Sequence, residues 1–510
     1  MQALLISLQK DLDTIGLKYL HYHLLNNGYD STLLYLSSFY IKNDGGLKEI
    51  KRFVLQTNPD FIAISLMSLE YFKACNLTEF LKGFISSTPI IWGGIHPTIS
   101  PEDCLNYADF VCIGEGERTI LNVAESIIEN RNIKEINNLC YRNAGIIRRN
   151  PLYPPIADLD SLPFYQHLPK NAFILSAKNI IPLDKKSFKK RSRYTGRTYS
   201  IISSRGCPLC CTYCCNSFIS KLYESNAIRR RGVDNIVKDI CQTVNENPEI
   251  EYINFQDDCF LAAPEDYFRE FCILYKRRVD KPFIIRSIPI YVNREKIRLL
   301  KEAGLSWVSL GLQSGSDHTC KEIYGRKSLK SDFLKAAKII KDFNIAAFYD
   351  VITDNPFENI TDKLKTIEVL SETPKPFYLQ LFSLVLYPGT ELYLKAKSEH
   401  SDLTEDYLRK DFLIPDKNII NNFIKLTPCI KGSCIIRLIS IYKLKPGSIR
   451  FKILFYLIYI FTALILEPIS YFKVIKLSQR GSYFKTIKLF PIYSKEGFMR
   501  YLNRFKTNEN

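Results

Sequence analysis

Twice along this chain, short apolar runs end in glycine or a small polar residue and lead into stretches with helical spacing. Repeated strand–turn–helix units of this kind need parallel strands joined by crossover helices. Over residues 1–145 the strand candidates are 3–8, 33–40, 61–66, 89–92 and 110–113, with 16–27 as the first helix. Over 199–400 they are 199–203, 251–255, 283–287, 307–312, 346–352 and 378–386, and six such units predict a full or partial barrel. Between the two series, 146–197 carries Pro151, Pro154, Pro155 and a basic run without regular period, so it reads as a linker.

Open parallel sheets bind ligands at the carboxyl ends of their strands. In the first series those ends hold Ser65, Gly93, Gly94, Gly114, Glu115 and Gly116. The glycines let a backbone approach a ligand closely or serve a tight turn. In the second series they hold Gln256, Asp257, Gln313 and Ser314. Asp257 and Asp258 suit an amine, a divalent cation or a helix cap. Arg229, Arg230 and Arg231 neutralise a nearby anion or form a solvated basic face.

The sharpest feature is the segment directly after the strand candidate 199–203. Cys207, Cys210, Cys211, Cys214 and Cys215, a third of the fifteen cysteines, fall within nine residues. The opening residues, 1–8, lack a basic start and a long apolar core, so no signal peptide is expected and the thiols are expected in a reducing cytoplasm. There, clustered cysteine means metal or redox chemistry. A zinc knuckle would use two directly abutting Cys-x2-Cys pairs, with no chain between them to wrap a tetrahedron. Thiolates on one loop suit iron, with Cys210 and Cys215 as spare thiols.

The spacing Cys207-x3-Cys211-x2-Cys214, with Tyr213 before the last cysteine, resembles the signature of radical S-adenosylmethionine (SAM) enzymes. The first 400 residues resemble the cobalamin-binding branch of that family. The likeness is carried by Trp92-Gly93-Gly94-Ile95-His96-Pro97-Thr98, Pro101-Glu102, Ile113-Gly114-Glu115-Gly116-Glu117-Arg118-Thr119 and Asp160-Ser161-Leu162-Pro163-Phe164. In the second half it is carried by Phe255-Gln256-Asp257-Asp258, Gly311-Leu312-Gln313-Ser314-Gly315-Ser316, the segment from Asp350 to Glu358, and Tyr387-Pro388-Gly389-Thr390. The resemblance implies an α/β protein: a Rossmann-like cobalamin-binding domain over 1–145, a linker over 146–197, a radical SAM (βα)6 domain over 198–400 and a mainly helical, basic region over 401–510. It implies a 4Fe-4S cluster on Cys207, Cys211 and Cys214, with one iron left open for SAM. SAM contacts would come from Tyr213, Gln256, Asp257, Gln313 and Ser314. Cobalamin contacts would come from Ser65, Gly93, Gly94, Gly114, Glu115 and Gly116. Gln313 stands where many relatives carry Glu, and Asp354 where they often carry Gly. None of the six histidines has Asp two before and Gly three after, so a histidine on cobalt is not expected; His96 reads as a turn residue.

Most of the resembled family moves a methyl group to a carbon radical made by the 5′-deoxyadenosyl radical, and a minority closes rings or rearranges. Methylation of an unactivated carbon is therefore the leading expectation, with cyclisation or rearrangement as the alternative. A tRNA methylthiotransferase, motivated by the net charge of +17, would want clustered N-terminal cysteines, but Cys75, Cys104 and Cys112 are spread. No nucleic-acid partner is expected. A non-catalytic cobalamin or redox sensor would not need the three-cysteine motif. The expected partners are a small-molecule or lipid-like substrate and an electron donor such as flavodoxin or ferredoxin. Residues 431–510 carry fifteen Lys and Arg against three Glu, a net +12, around the 14-residue apolar run 453–466. That run is shorter than the roughly 20 residues a bilayer crossing needs. It predicts either a peripheral contact on the inner membrane face, with Lys452, Lys473, Lys476, Arg480, Lys485 and Lys488 around it, or a helix packed under the barrel.

Overall fold

A computed structural model of the chain describes residues 1–37, 39, 44–399, 411–444 and 447–479. Arg480, Lys485 and Lys488 lie outside the described residues. The chain divides into two compact units: Met1–Ser200, Tyr213–Ile250 and Leu386–Arg409 form one, and Ile201–Thr212, Glu251–Val385 and Lys410–Asn510 the other.

The first unit is built on nine strands: β1 (Gln2–Ser7), β2 (Asp30–Tyr35), β3 (Phe61–Ser65), β4 (Ile90–Gly93), β5 (Phe110–Cys112), β6 (Leu139–Asn143), β7 (Ile146–Arg149), β8 (Ala172–Ser176) and β9 (Asn179–Pro182). Their order is β7-β6-β5-β4-β3-β1-β2-β8-β9. Strands β5 through β8 in that order run parallel, and β1 pairs with both β2 and β3, which makes its carboxyl end the topological switch point. Side chains of Ala3, Leu4, Leu5 and Ile6 are fully buried, because helices cover both faces of a parallel sheet. The stretch 146–197, aperiodic in sequence, supplies β7, β8, β9 and the helix Lys185–Arg191. The hairpins β6–β7 and β8–β9 are antiparallel and extend the sheet at both edges.

The second sheet has six strands: β10 (Thr198–Ile201), β11 (Tyr252–Phe255), β12 (Phe283–Ser287), β13 (Leu305–Gln313), β14 (Ala346–Thr353) and β15 (Tyr378–Ser383), in sequence order. The pairs from β11 to β15 are parallel. With β10 and β15 as its two edges, the sheet is a partial barrel. Asn293, Asn359 and Asn418 cap the helices that follow them by accepting a backbone N–H, the standard remedy for an open helix start.

The apolar run 453–466 does not end at Leu466. It continues through Pro468, which sits in the first turn of the helix Glu467–Ser478, into a 30-residue helix, Ile449–Ser478. By length and composition that helix is sufficient to cross a membrane, so shortness is not what would keep it from spanning.

Candidate active site

In the first unit the strand ends are shaped by glycine. Gly94 has φ +99 and ψ −167, a region essentially reserved for glycine. A Cβ there would lie 2.8 Å from the Leu66 carbonyl oxygen and 3.2 Å from Ser65 Oγ. Gly114 has φ +79, donates its amide to Thr98 Oγ1 at 3.0 Å, and has the Tyr223 hydroxyl where a Cβ would sit. Gly116 precedes the helix Glu117–Ile128. His96 is buried; its Nδ1 lies 2.9 Å from Ser68 Oγ and its Nε2 has no hydrogen-bond partner among the described residues. Burial lowers its pKa to about 4, so the ring is neutral.

Glu115 is tied to other parts of the first unit. Its carboxylate holds Arg229 through two bonds of 2.7 and 3.0 Å and accepts the Ile156 amide at 2.8 Å. These bonds clamp three segments of the unit together. The arginine run is likewise structural. Arg231 is buried against Asp239 at 2.8 Å, with Tyr199 donating to the same carboxylate. The linker motif acts here too: Asp160 accepts the Gly232 amide, and Phe164 lies under the Arg231 guanidinium at 5.3 Å.

In the second unit, Cys207 and Cys211 follow β10. Burial pushes the Cys207 thiol up to about 12, so loading iron there must displace a proton. Cys211 is buried, Cys210 is exposed, and Cys214 and Cys215 are half-buried at the start of the helix Cys215–Leu222, in the first unit, with Tyr213 beside them. Thr212 ties the loop to the turn after β13, donating its amide to the Tyr324 carbonyl at 3.0 Å and its hydroxyl to Ile323 at 2.6 Å.

The ends of β11 and β13 divide the expected SAM residues. Asp257 is buried and spent on the loop, accepting from the Ser203 amide and hydroxyl and the Ser204 hydroxyl. Burial raises its pKa. Ser314 is also spent, donating to Glu358 at 2.7 Å. Gly315 receives support from Thr366, and Ser316 donates to Asp362 at 2.6 Å, so the Ser-Gly-Ser segment anchors β13 to the helix Ile360–Glu372. Gln313 is the exception. It adopts φ +65 at a register shift, its amide nitrogen folds back over Gly311, and its buried Oε1 has no hydrogen-bond partner among the described residues. Gln256 is half-buried, its amide bonded to the Ile201 carbonyl at 2.8 Å. Asp354 takes φ +58, which explains why glycine suits that position, and its carboxylate accepts from Asn421 and the Asp416 amide.

Sequence reasoning missed Arg326. It is 5 % exposed, donates 2.7 Å to the Gly311 carbonyl and reaches Cys211 Sγ at 3.9 Å. The signal was Gly325, with φ +58, immediately before it. This buried guanidinium bridges the strand that carries Gln313 and the cysteine loop.

These observations fit the cofactors. The bare backbone at Gly94 directly follows β4, in the sheet at whose switch point a flat cofactor would sit, and His96, whose Nε2 has no partner among the described residues, lies in the short helix Ile95–Ile99 after it. Within the second unit, Cys211, Arg326 and Gln313 gather at the end of β13. A six-stranded partial barrel with this loop, preceded by a doubly wound sheet, defines a SAM-radical enzyme with a cofactor-binding Rossmann-like unit. Residues 201–370 match the radical SAM superfamily and residues 1–124 the B12 binding domain. The chain is a cobalamin-binding radical SAM enzyme that uses a 4Fe-4S cluster, SAM and cobalamin. It is similar to an uncharacterized methyltransferase of Pyrococcus horikoshii, 23% identical over 379 residues, covering 74% of this chain and 77% of the relative. It is also similar to the anaerobic magnesium-protoporphyrin IX monomethyl ester cyclase of Synechocystis, 25% identical, covering 57% of this chain and 54% of that protein. Its fold resembles the radical SAM methyltransferase TsrM from Kitasatospora setae, solved with tryptophan and a SAM analog, with TM-score 0.63, 16% identity, and 78% and 76% of the two chains covered.

Proposed function

We propose that this enzyme methylates an unactivated carbon of a small-molecule or lipid-like substrate. The observation that carries the reading is the joining of a B12 binding domain and a radical SAM domain in one chain that retains the spacing Cys207-x3-Cys211-x2-Cys214. When bound, the cofactors supply a carbon-centred radical and a transferable methyl group.

The chain's own residues hold and orient. Cys207, Cys211 and Cys214 ligate the cluster, and Arg326 offsets thiolate charge at Cys211. Gln313 meets SAM with the amide oxygen that nothing else satisfies, supported by Gln256 and Tyr213. Asp257 and Ser314 act indirectly, by fixing the loop and the strand end. Ser65, Gly93, Gly94, Gly114 and Gly116 receive cobalamin, while Glu115 braces that surface through Arg229. A cleft beside the edge strand β15, among Tyr378, Phe382, Leu413, Lys417 and Tyr471, offers a place for part of the substrate. Electrons come from a flavodoxin- or ferredoxin-type donor, and the enzyme works in the cytoplasm with a peripheral contact on the inner membrane face.

Ring closure is the second reading, favoured by the similarity to the cyclase. Anaerobically reconstituted enzyme, incubated with reductant and candidate substrates, should release both 5′-deoxyadenosine and S-adenosylhomocysteine if it transfers methyl groups. 5′-Deoxyadenosine without S-adenosylhomocysteine would support the cyclase reading, and neither product would reject both.

A further inference from the structure

The first half of the helix Ile449–Ser478 is apolar on every side. Between Ile449 and Phe461 only Arg450 and Lys452 carry charge. A helix with that composition belongs in a core or in lipid. Yet only Phe451 and Phe455 of that stretch are buried, and only 17 % of the helix's most apolar window is covered. Ile453, Leu457 and Leu464 are 59, 61 and 60 % exposed, with Leu454, Ile460 and Ile465 beside them. Contiguous apolar surface of this kind marks an interaction site.

The same helix is held along its length by the unit that contains it. Phe455 packs on the buried Phe423 with ring centroids 4.4 Å apart, and Phe451 lies on the same ring. Thr462 is buried in the middle. Toward the end, Tyr471 packs on Tyr378 of β15 at 5.0 Å, Val474 and Ile475 are fully buried, and Gln479 donates to the Tyr252 hydroxyl. To span a bilayer, the helix would have to abandon these contacts at one end. It is thus fixed tangentially, with its apolar face outward over much of its length of about 45 Å.

Charge identifies the occupant. From 431 to 479 the sequence holds eight Lys and Arg and one acid, Glu467. Arg450, Lys452 and Lys473 on this helix are exposed. A second copy of the chain would bring the same positive charge against them, whereas an anionic bilayer offers hydrocarbon and compensating headgroups together.

We propose that this face docks in the plane of an anionic lipid bilayer, with the helix lying along the interface. The proposal deepens the membrane contact put forward above and does not depend on the methyl-transfer chemistry. Full-length protein should float with phosphatidylcholine–phosphatidylglycerol vesicles at low salt, release at high salt, and bind pure phosphatidylcholine at least tenfold more weakly. A triple variant, Ile453→Gln, Leu457→Gln and Leu464→Gln, should lose at least tenfold in partitioning while its melting temperature, iron and cobalamin content stay unchanged. Tryptophan placed at Ile453 or at Leu464 reports depth, because Trp92 and Trp307 are both buried. Brominated lipids should quench both positions at one shared, shallow depth. Failure to float at low salt overturns the proposal, as does self-association that shields the patch, or two different depths. Flotation by protein unable to bind iron or cobalamin would reject the enzymatic reading and leave the docking surface standing.

Discussion

Gln313 offers the most direct test of how the barrel holds SAM. Its Oε1 is buried without a hydrogen-bond partner among the described residues. An unsatisfied buried amide oxygen costs about 1–3 kcal/mol, which a ligand donor recovers on binding. That amounts to roughly 5- to 150-fold in affinity. Replacing Gln313 by Leu keeps the bulk and removes the oxygen, so apo stability should hold or rise while SAM binding weakens within that range. Gly311→Ala should do the same with Gln313 retained, by displacing its side chain. The new Cβ would lie 2.4 Å from Gln313 Nε2, the far end of a flexible side chain, so the amide moves and the backbone does not. Gly315→Ala is the contrast: its Cβ would meet Thr366 Cα at 2.5 Å, and the melting temperature should fall. Calorimetric titration of SAM into anaerobically reconstituted protein, with melting of each apo variant, measures both quantities. Unchanged SAM affinity in both Gln313→Leu and Gly311→Ala would refute the assignment, as would affinity losses that merely track a loss of fold.

Replacing Cys207, Cys211 and Cys214 together by Ala should abolish iron binding and the absorbance near about 400 nm expected of iron–thiolate clusters, while Cys210→Ala and Cys215→Ala each keep both. The cob(II)alamin form should show no nitrogen superhyperfine splitting in its electron paramagnetic resonance spectrum, and His96→Ala should leave that spectrum unchanged. Arg231→Met strands the fully buried Asp239 without its cation and should cost about 3–5 kcal/mol by thermal melting. Burial already raises the Asp239 pKa. A carboxyl with a raised folded-state pKa loses stability as pH rises, so the deficit should shrink on acidification. The double change Arg231→Met with Asp239→Leu should recover most of it.

What the sequence by itself determined was local. Strand runs such as 61–66 and 110–113 settle at β3 and β5 because a strand covered on both faces is almost continuously apolar, and that pattern is written in consecutive residues. The spacing of the cysteines is equally local. Only the tertiary structure decided which polar groups are spent and which are spare. Glu115 meets Arg229, Asp257 meets Ser203 and Ser204, and Ser314 meets Glu358, all across long stretches of chain. Gln313 alone among the expected SAM residues keeps a buried oxygen without a partner in the described fold. A carboxylate or hydroxyl carries no mark in sequence of whether its partner will be a ligand or a distant side chain, because hydrogen bonds are settled by where the strands end. The tail shows the same limit. Glu467 and Pro468 look like a stop, yet a π-helical turn over Thr462–Leu466 precedes them, and a proline in the first turn of the segment after it is tolerated. Which part of that helix is left exposed follows from Phe455, Val474 and Ile475 being buried in the unit that contains it, and packing of that kind exists only once the chain has folded.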